Sequence, residues 1–337
     1  MNNIINLLSM NTNTNTKTNK NKISLKQKQK LIIFFISIFL FNFLIPILST
    51  SKTNKINNRK TNTFEIFTVT WTPTSLQAID IGIGGDGDCI AVGLDGKPYL
   101  YNFIGNTWSV IDGDYEMINI VRADIDDEGT IFLIGTAGNI YYLSCYNSWH
   151  QLNGCGKDIG IGRGSDIWKI GCDSKGNFSD DYGIWKLFCK NKPQCGFNNT
   201  RKCMRFRHSK YTNNPNGDKR ECYWTKIEGA GKRIDVHPNG NPYINTSSGK
   251  IFKYDNESFN FKEITGVQAR DITLSNNGLL YAVGLNDNRI YRVLNEDTGD
   301  WQILSGCAKE ISSGPYSQPW IVSCDGKILT TSKLLFN

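Results

Sequence analysis

The stretch ARDITLSNNGLLYAVGLNDNRIYRV (269–293), followed closely by WQILSG (301–306), decides how this chain folds. It opens with an alternating strand and turns at SNNG. A second, β-rich strand LLYAVG follows, then a turn at LNDN and a third strand, RIYRV. The aromatic phrase then supplies a fourth strand. Each strand is too short to bury a core alone, so the unit needs neighbours like itself.

Such neighbours exist. AIDIGIGGDGDCIAVGLDGKPYLYNF (78–103) and RIDVHPNGNPYINTSSGKIFKY (233–254) show the same order of elements. The aromatic phrase recurs as WSVIDGD at Trp108, WHQLNGCGK at Trp149, WTKIEGAGK at Trp224, FKEITGVQ at Phe261 and WQILSGCAK at Trp301, with a degenerate copy, WTPTSLQ, at Trp71. The aromatic is followed three residues later by Ile or Leu, and in most copies then by Gly. Spacings are 37, 41, 75, 37 and 40, the 75 being one repeat plus an insertion. Four short antiparallel strands per ~40 residues describe a propeller blade. The expected fold is all-β: a six-bladed β-propeller of four-stranded antiparallel blades. The body ends at KILTTSKLLFN, three strands into its last repeat, so a strand around Phe67 to Thr72 is expected to complete that blade and close the ring.

These residues resemble tectonin β-propeller repeats, the family that includes slime-mould tectonins and fish-egg lectins. The resemblance covers about 64–337 and rests on the Trp-x-x-[Ile/Leu]-x-Gly phrase and on endings such as Gly138 to Tyr141 and Gly249 to Phe252. Two departures stand out: Phe261 replaces a blade Trp, and the third blade holds a long insertion. The resemblance implies a protein that binds carbohydrate or bacterial surface glycans, through shallow sites repeated between blades whose avidity adds up. It supplies no sugar-site signature that can be placed on residues of this chain.

Ahead of the body lies a different regime. Residues 1–60 carry ten basic residues and no acidic one, and the first glycine of the chain is Gly82. Residues 1–30 are polar and of low complexity, and are expected to be disordered. Residues 31–48, LIIFFISIFLFNFLIPIL, form an apolar run preceded by six lysines. They read either as a signal peptide, with Ser49 and Ser51 placed for cleavage before Lys52, or as an uncleaved type II signal anchor. Residues 49–63 form a linker. Either reading delivers the body to the secretory lumen or the outside, and membrane contact is expected only through this N-terminal segment.

In that compartment the ten cysteines read as disulfides. Cys155 and Cys172 are 17 apart, as are Cys307 and Cys324, and each pair flanks an equivalent hairpin. Folding about the turn sets the two cysteines opposite each other, at a Cα separation of roughly 4.5 to 5.5 Å, within disulfide reach. Cys155–Cys172 and Cys307–Cys324 are therefore predicted. Cys189–Cys222 would close the insertion at its base, while Cys89, Cys145, Cys195 and Cys203 stay unassigned. The insertion, 190–222, carries nine basic residues against Asp218 and Glu221, a net of +7. Interleaved with Phe206, His208 and Tyr211, it reads either as a grip for an anionic partner or as a loop docked on its own acidic propeller. Nucleic acid is not expected outside the cytoplasm, so the chain's overall +7 marks a leader and one loop rather than a nucleic-acid surface.

Catalytic signatures are missing. His150, His208 and His237 are isolated, and the chain shows no nucleophile elbow, phosphate loop or helical zinc motif. Cys189, Cys195, Cys203 and His208 miss zinc-finger spacing, and disulfides are preferred there. The acidic stretches Asp86 to Asp88 and Asp124 to Glu128 offer oxygens to calcium, but Asp in such turns also serves the backbone. No cofactor is expected beyond that one ion, and no enzyme. Glycosylation sequons stand at Asn177, Asn198, Asn245 and Asn256. The reading is a non-catalytic, secreted or surface-anchored lectin-like protein, with a structural or protein-interaction propeller as the alternative.

Overall fold

A computed structural model describes residues 66–111, 119–126, 129–143, 149–162, 166–172, 181–189 and 222–331. Among them every regular element is a strand. The chain divides into two units, 1–62 and 63–337, and all the described residues lie in the second. No helix among the described residues is long and apolar enough to cross a membrane. The expected leader, the apolar run 31–48 and the linker lie outside the described residues.

The strands run in fours. After a two-residue β1 (Ile66–Phe67) come β2 (Trp71–Ile83), β3 (Cys89–Gly93), β4 (Pro98–Asn102) and β5 (Thr107–Val110). Next are β6 (Ile120–Ile125), β7 (Ile131–Gly135), β8 (Asn139–Leu143) and β9 (Trp149–Cys155), then β10 (Asp158–Gly162), β11 (Asp166–Gly171), β12 (Tyr182–Cys189) and β13 (Cys222–Gly231). They are followed by β14 (Arg233–Val236), β15 (Pro242–Asn245), β16 (Ile251–Asp255) and β17 (Asn260–Ile264), and by β18 (Ala269–Leu274), β19 (Leu280–Gly284), β20 (Ile290–Asn295) and β21 (Asp300–Leu304). The last three are β22 (Ala308–Ser313), β23 (Pro319–Ser323) and β24 (Lys327–Thr331).

Sheets β6–β9, β10–β13, β14–β17 and β18–β21 are antiparallel meanders, and β1 lies parallel on β21. The fifth sheet has seven strands, in the order β22-β23-β24-β2-β3-β4-β5. It is continuous because β2 is shared: Trp71 to Gln77 pair with β24, and Ala78 to Ile83 pair with β3. The strand that completes the C-terminal repeat therefore starts at Trp71, later than the expected Phe67 to Thr72. Ile66 and Phe67 belong instead to the sheet before it, opposite Ile303 and Leu304.

Burial falls from the second strands outwards in several sheets, with the outer strand β21 staying largely buried. The second strands CIAVG (β3), IFLIG (β7) and LYAVG (β19) are buried throughout, as continuous apolar runs packed on both faces should be. The outer strands β5 and β17 are largely exposed. Apolar clusters form wedges between successive sheets: Ile90 and Val92 of one pack with Ile120, Ala123 and Leu133 of the next. The first strands contact one another in a cycle, β2 to β6, β10, β14, β18, β22 and back to β2.

Candidate functional site

Each repeat aromatic lies on an outer strand, and its neighbours explain the phrase around it. The Trp301 indole donates to the Thr265 carbonyl at 2.8 Å, and Trp224 to the Asn153 carbonyl at 2.8 Å. Trp71 does the same to Ser305 at 2.7 Å. In every case the acceptor is the residue just before the Gly of the preceding phrase. That Gly must stay bare, because a Cβ on Gly266 would lie 2.8 Å from the Trp301 ring. Trp108 donates to the Thr74 hydroxyl at 3.0 Å, and Trp149 packs against the wedge of Ile90, Ile120 and Leu133. Phe261 packs over Gly229 without an N–H to give. Trp71, Trp224 and Trp301 thus staple one sheet to another.

Inside the cycle of first strands, acids recur. Asp80 accepts from the Ala123 N–H at 2.7 Å, Asp158 from Ile234 at 2.8 Å and Asp271 from Ile311 at 2.8 Å. Counted from those N–H groups, Asp80, Arg122, Asp158, Arg233, Asp271 and Glu310 hold one equivalent position on the six first strands. Two residues further on, Asp124 accepts from Ile161 at 3.0 Å and Asp235 from Leu274 at 2.6 Å. Each carboxylate thus clips its strand to the next. Arg233 reaches across to both Glu310 oxygens at 2.7 Å. Arg122 joins Asp80 at 3.1 Å, with Asp158 and Glu310 at 3.6 Å.

Six carboxylates facing two guanidiniums cannot all stay charged in a buried space. Burial pushes Asp80 up to about 7 against the pull of Arg122. Burial likewise lifts Asp235 to about 6, opposed by its backbone hydrogen bonds. Asp124 is raised well above the usual carboxylate range by burial and then by Asp235, and Asp271 by burial and then by Glu310. For Glu310 the attraction of Arg233 and Arg122 outweighs burial and lowers it. Burial works against the charge of Arg233, but Glu310, Asp271 and Asp158 more than restore it. Asp80, Asp124, Asp158, Arg233, Asp235 and Asp271 line a cavity of about 80 Å³, room for a few waters.

A larger opening of about 220 Å³ lies between the sheets β6–β9 and β10–β13. Its lining includes Thr136, Gly138, Gly156, Lys157 and Tyr182. Lys157 and Thr136 are exposed and Tyr182 is half-buried, so an aromatic ring, a hydroxyl and an ammonium share one mouth.

Both predicted disulfides are present. Cys155–Cys172 has a Cα separation of 5.7 Å and Cys307–Cys324 of 5.5 Å. Cys155 ends β9 and Cys172 directly follows β11, while Cys307 directly precedes β22 and Cys324 directly follows β23. Cys189 and Cys222 face each other across β12 and β13. Cys89 is buried as a free thiol, while Cys145, Cys195, Cys203 and most of the insertion lie outside the described residues. So do Asn177, Asn198 and His208. His150 stacks on Tyr142, and His237 on Tyr243.

Asp124 belongs to β6, not to a turn, and spends both oxygens on backbone N–H groups. Asp86 caps its own turn through the Asp88 N–H. Among the described residues no cluster of His, Cys, Asp or Glu is arranged to hold a metal. The axial ring went unread in the sequence, although its signal is there: an acid or Arg at one fixed place in AID80I-like stretches, as in Asp80-Ile81, Asp158-Ile159, Asp271-Ile272 and Glu310-Ile311.

No family model matches the chain, and no curated protein matches it by sequence. Solved structures do resemble it. XC5397, a gluconolactonase of Xanthomonas campestris, superposes with a TM-score of 0.53 at 11% identity, over 77% of this chain and 89% of that one. A protein of unknown function from Bacteroides thetaiotaomicron gives 0.50 at 11%, over 79% and 74%. The β-propeller domain of Cps50 (Swd1) from Myceliophteria thermophila gives 0.44 at 11%, over 76% and 83%. At such identities the likeness is one of fold, and the successive antiparallel sheets whose first strands meet in a cycle make this chain a β-propeller.

Proposed function

We propose that the chain is a six-bladed propeller that works by binding rather than by catalysis, and that its ligands are glycans. One observation carries the reading: the opening between β6–β9 and β10–β13 presents Tyr182, Thr136 and Lys157 together at about 220 Å³. Pockets for drug-sized molecules run about 300–1,000 Å³, so this one suits a single sugar ring. An aromatic face offers C–H contacts, and a hydroxyl and an ammonium serve sugar oxygens. The axial groups are engaged with backbone N–H groups and with one another.

The test is a glycan array probed with the purified chain. Binding is expected, and Tyr182→Ala or Lys157→Ala should weaken it about tenfold, which is ~1.4 kcal/mol. No binding at high glycan density would sink the proposal. A second reading, a protein-interaction scaffold, is favoured by Phe103 and Ile104. They stand 51% and 93% exposed at the β4–β5 turn, with the Phe103 ring edge-on to Tyr101 and Trp320. An apolar surface of that kind suits a protein partner, and Ile104→Lys would leave glycan binding intact while removing that partner.

A further inference from the structure

Two of the four sequons fall on described residues, and the fold treats them in opposite ways. Asn245 ends β15 with no exposed surface. Its side-chain amide donates to the Ala269 carbonyl of the next sheet at 2.7 Å, and its own carbonyl accepts from the Lys232 N–H at 2.7 Å. A glycan there would have to displace the contact between two sheets. Asn256 lies at the exposed turn between β16 and β17, with Glu257, Ser258, Phe259 and Asn260 exposed beside it. Among the described residues its amide meets only the side chain of Asn241, in a neighbouring turn, a contact that a rotamer change releases.

We infer that Asn256 is an N-glycosylation site and that Asn245 is not. The sequon Asn256-Glu257-Ser258 has no proline at its middle position. The turn around it is set by Asp255, which accepts from the Glu257 N–H at 2.9 Å and the Ser258 hydroxyl at 2.8 Å, so the turn keeps its shape without help from Asn256. Phe259, three residues on, is 76% exposed, a large apolar face left in water where a proximal sugar ring would cover it. The reaction joins the Asn256 amide nitrogen to the anomeric carbon of a lipid-diphosphate-linked oligosaccharide. The bond from that carbon to the diphosphate oxygen breaks, the amide gives up one proton, and the lipid diphosphate leaves. The donor and its transferase belong to the secretory lumen, where disulfides such as Cys155–Cys172 and Cys307–Cys324 also form.

The experiment expresses the full chain in a eukaryotic secretory host and maps each sequon peptide before and after enzymatic removal of N-glycans. Glycan is expected on Asn256, and lost in both Asn256→Gln and Ser258→Ala, while the Asn245 peptide stays unmodified. Asp255→Ala removes the same turn contacts while leaving the sequon intact, so glycan kept in that variant and lost in Ser258→Ala identifies sequon chemistry rather than a damaged turn. Disulfide-bonded protein recovered with a bare Asn256 overturns the inference, as does glycan on Asn245 or a chain retained in the cytosol. Attachment here is separate from the inter-sheet opening: an array without binding would leave the Asn256 result standing.

Discussion

The Trp71 indole donates to the Ser305 carbonyl at 2.7 Å, joining residues 234 apart in the chain. Around that bond the Ser305 N–H donates to the Phe67 carbonyl, and the Val69 N–H donates to the Ser305 hydroxyl at 2.7 Å. The N-terminal strand is thereby held to β21 before it crosses to β24. Non-local pairing of this sort must offset the loop entropy of bringing distant segments together. Trp71→Phe leaves the carbonyl without its donor and should cost about 1–3 kcal/mol, whereas Trp71→Ala adds a cavity and should cost about 3–5 kcal/mol. Gly306 has φ +126, and a Cβ there would lie 2.8 Å from the Trp71 nitrogen. Gly306→Ala should therefore also lower the urea midpoint, by more than 1 kcal/mol equivalent as strained Gly→Ala changes do.

Phe261 offers the opposite experiment. It stands where Trp224 and Trp301 reach back to the residue before a Gly, and there that residue is Glu228. Phe261→Trp should supply the missing donor to the Glu228 carbonyl and stabilise by ~0.5–1.5 kcal/mol. A lower melting temperature would show that the wedge over Gly229 cannot take an indole.

The axial carboxyls set a pH dependence. Asp80 at about 7 and Asp235 at about 6 bind protons more tightly folded than unfolded. Such groups favour the fold fully below the unfolded value of about 3.9, and that gain is lost as pH rises through 6 to 7. Asp124 and Asp271 act in the same direction. Glu310, lowered by Arg233 and Arg122, acts oppositely and loses its contribution in acid. Thermal unfolding should therefore give higher stability near pH 5 than near pH 8. Asp80→Asn together with Asp235→Asn should flatten that slope, and a slope of reverse sign would refute the assignment.

The register of β12 and β13 sets Cys189 opposite Cys222, at the roughly 4.5 to 5.5 Å of antiparallel Cα partners, a separation a disulfide spans. Non-reducing peptide mapping should recover these two linked, in addition to Cys155–Cys172 and Cys307–Cys324. Removing the last pair by Cys307→Ser and Cys324→Ser opens a loop with a sequence separation of 17, for which about 3 kcal/mol of chain entropy is at stake.

Much of this was legible in the residues. The phrase after Trp301 and its copies mark an outer strand because an indole that must reach a carbonyl and pack on a bare Gly constrains three positions at a fixed spacing. The cysteine pairs were legible because a hairpin turns on local residues, and both partners sit 17 apart on either side of the turn. The acids of the first strands were harder to read. Asp80 and Asp158 look like ordinary strand residues until the strand they clip is known.

By itself, then, the sequence determined the all-β repeat and the two hairpin disulfides, since each depends on contacts within about one repeat length, and it marked the outer-strand aromatics by their fixed spacing. Only the tertiary structure decided the rest. It placed Ile66 and Phe67 on β21 and Trp71 on β24, brought Arg233 against Glu310 across 77 residues, and separated a buried Asn245 from an exposed Asn256. The physical reason is common to all three: which backbone group or carboxylate a side chain meets is fixed by how whole sheets stand beside one another, and no local period encodes that.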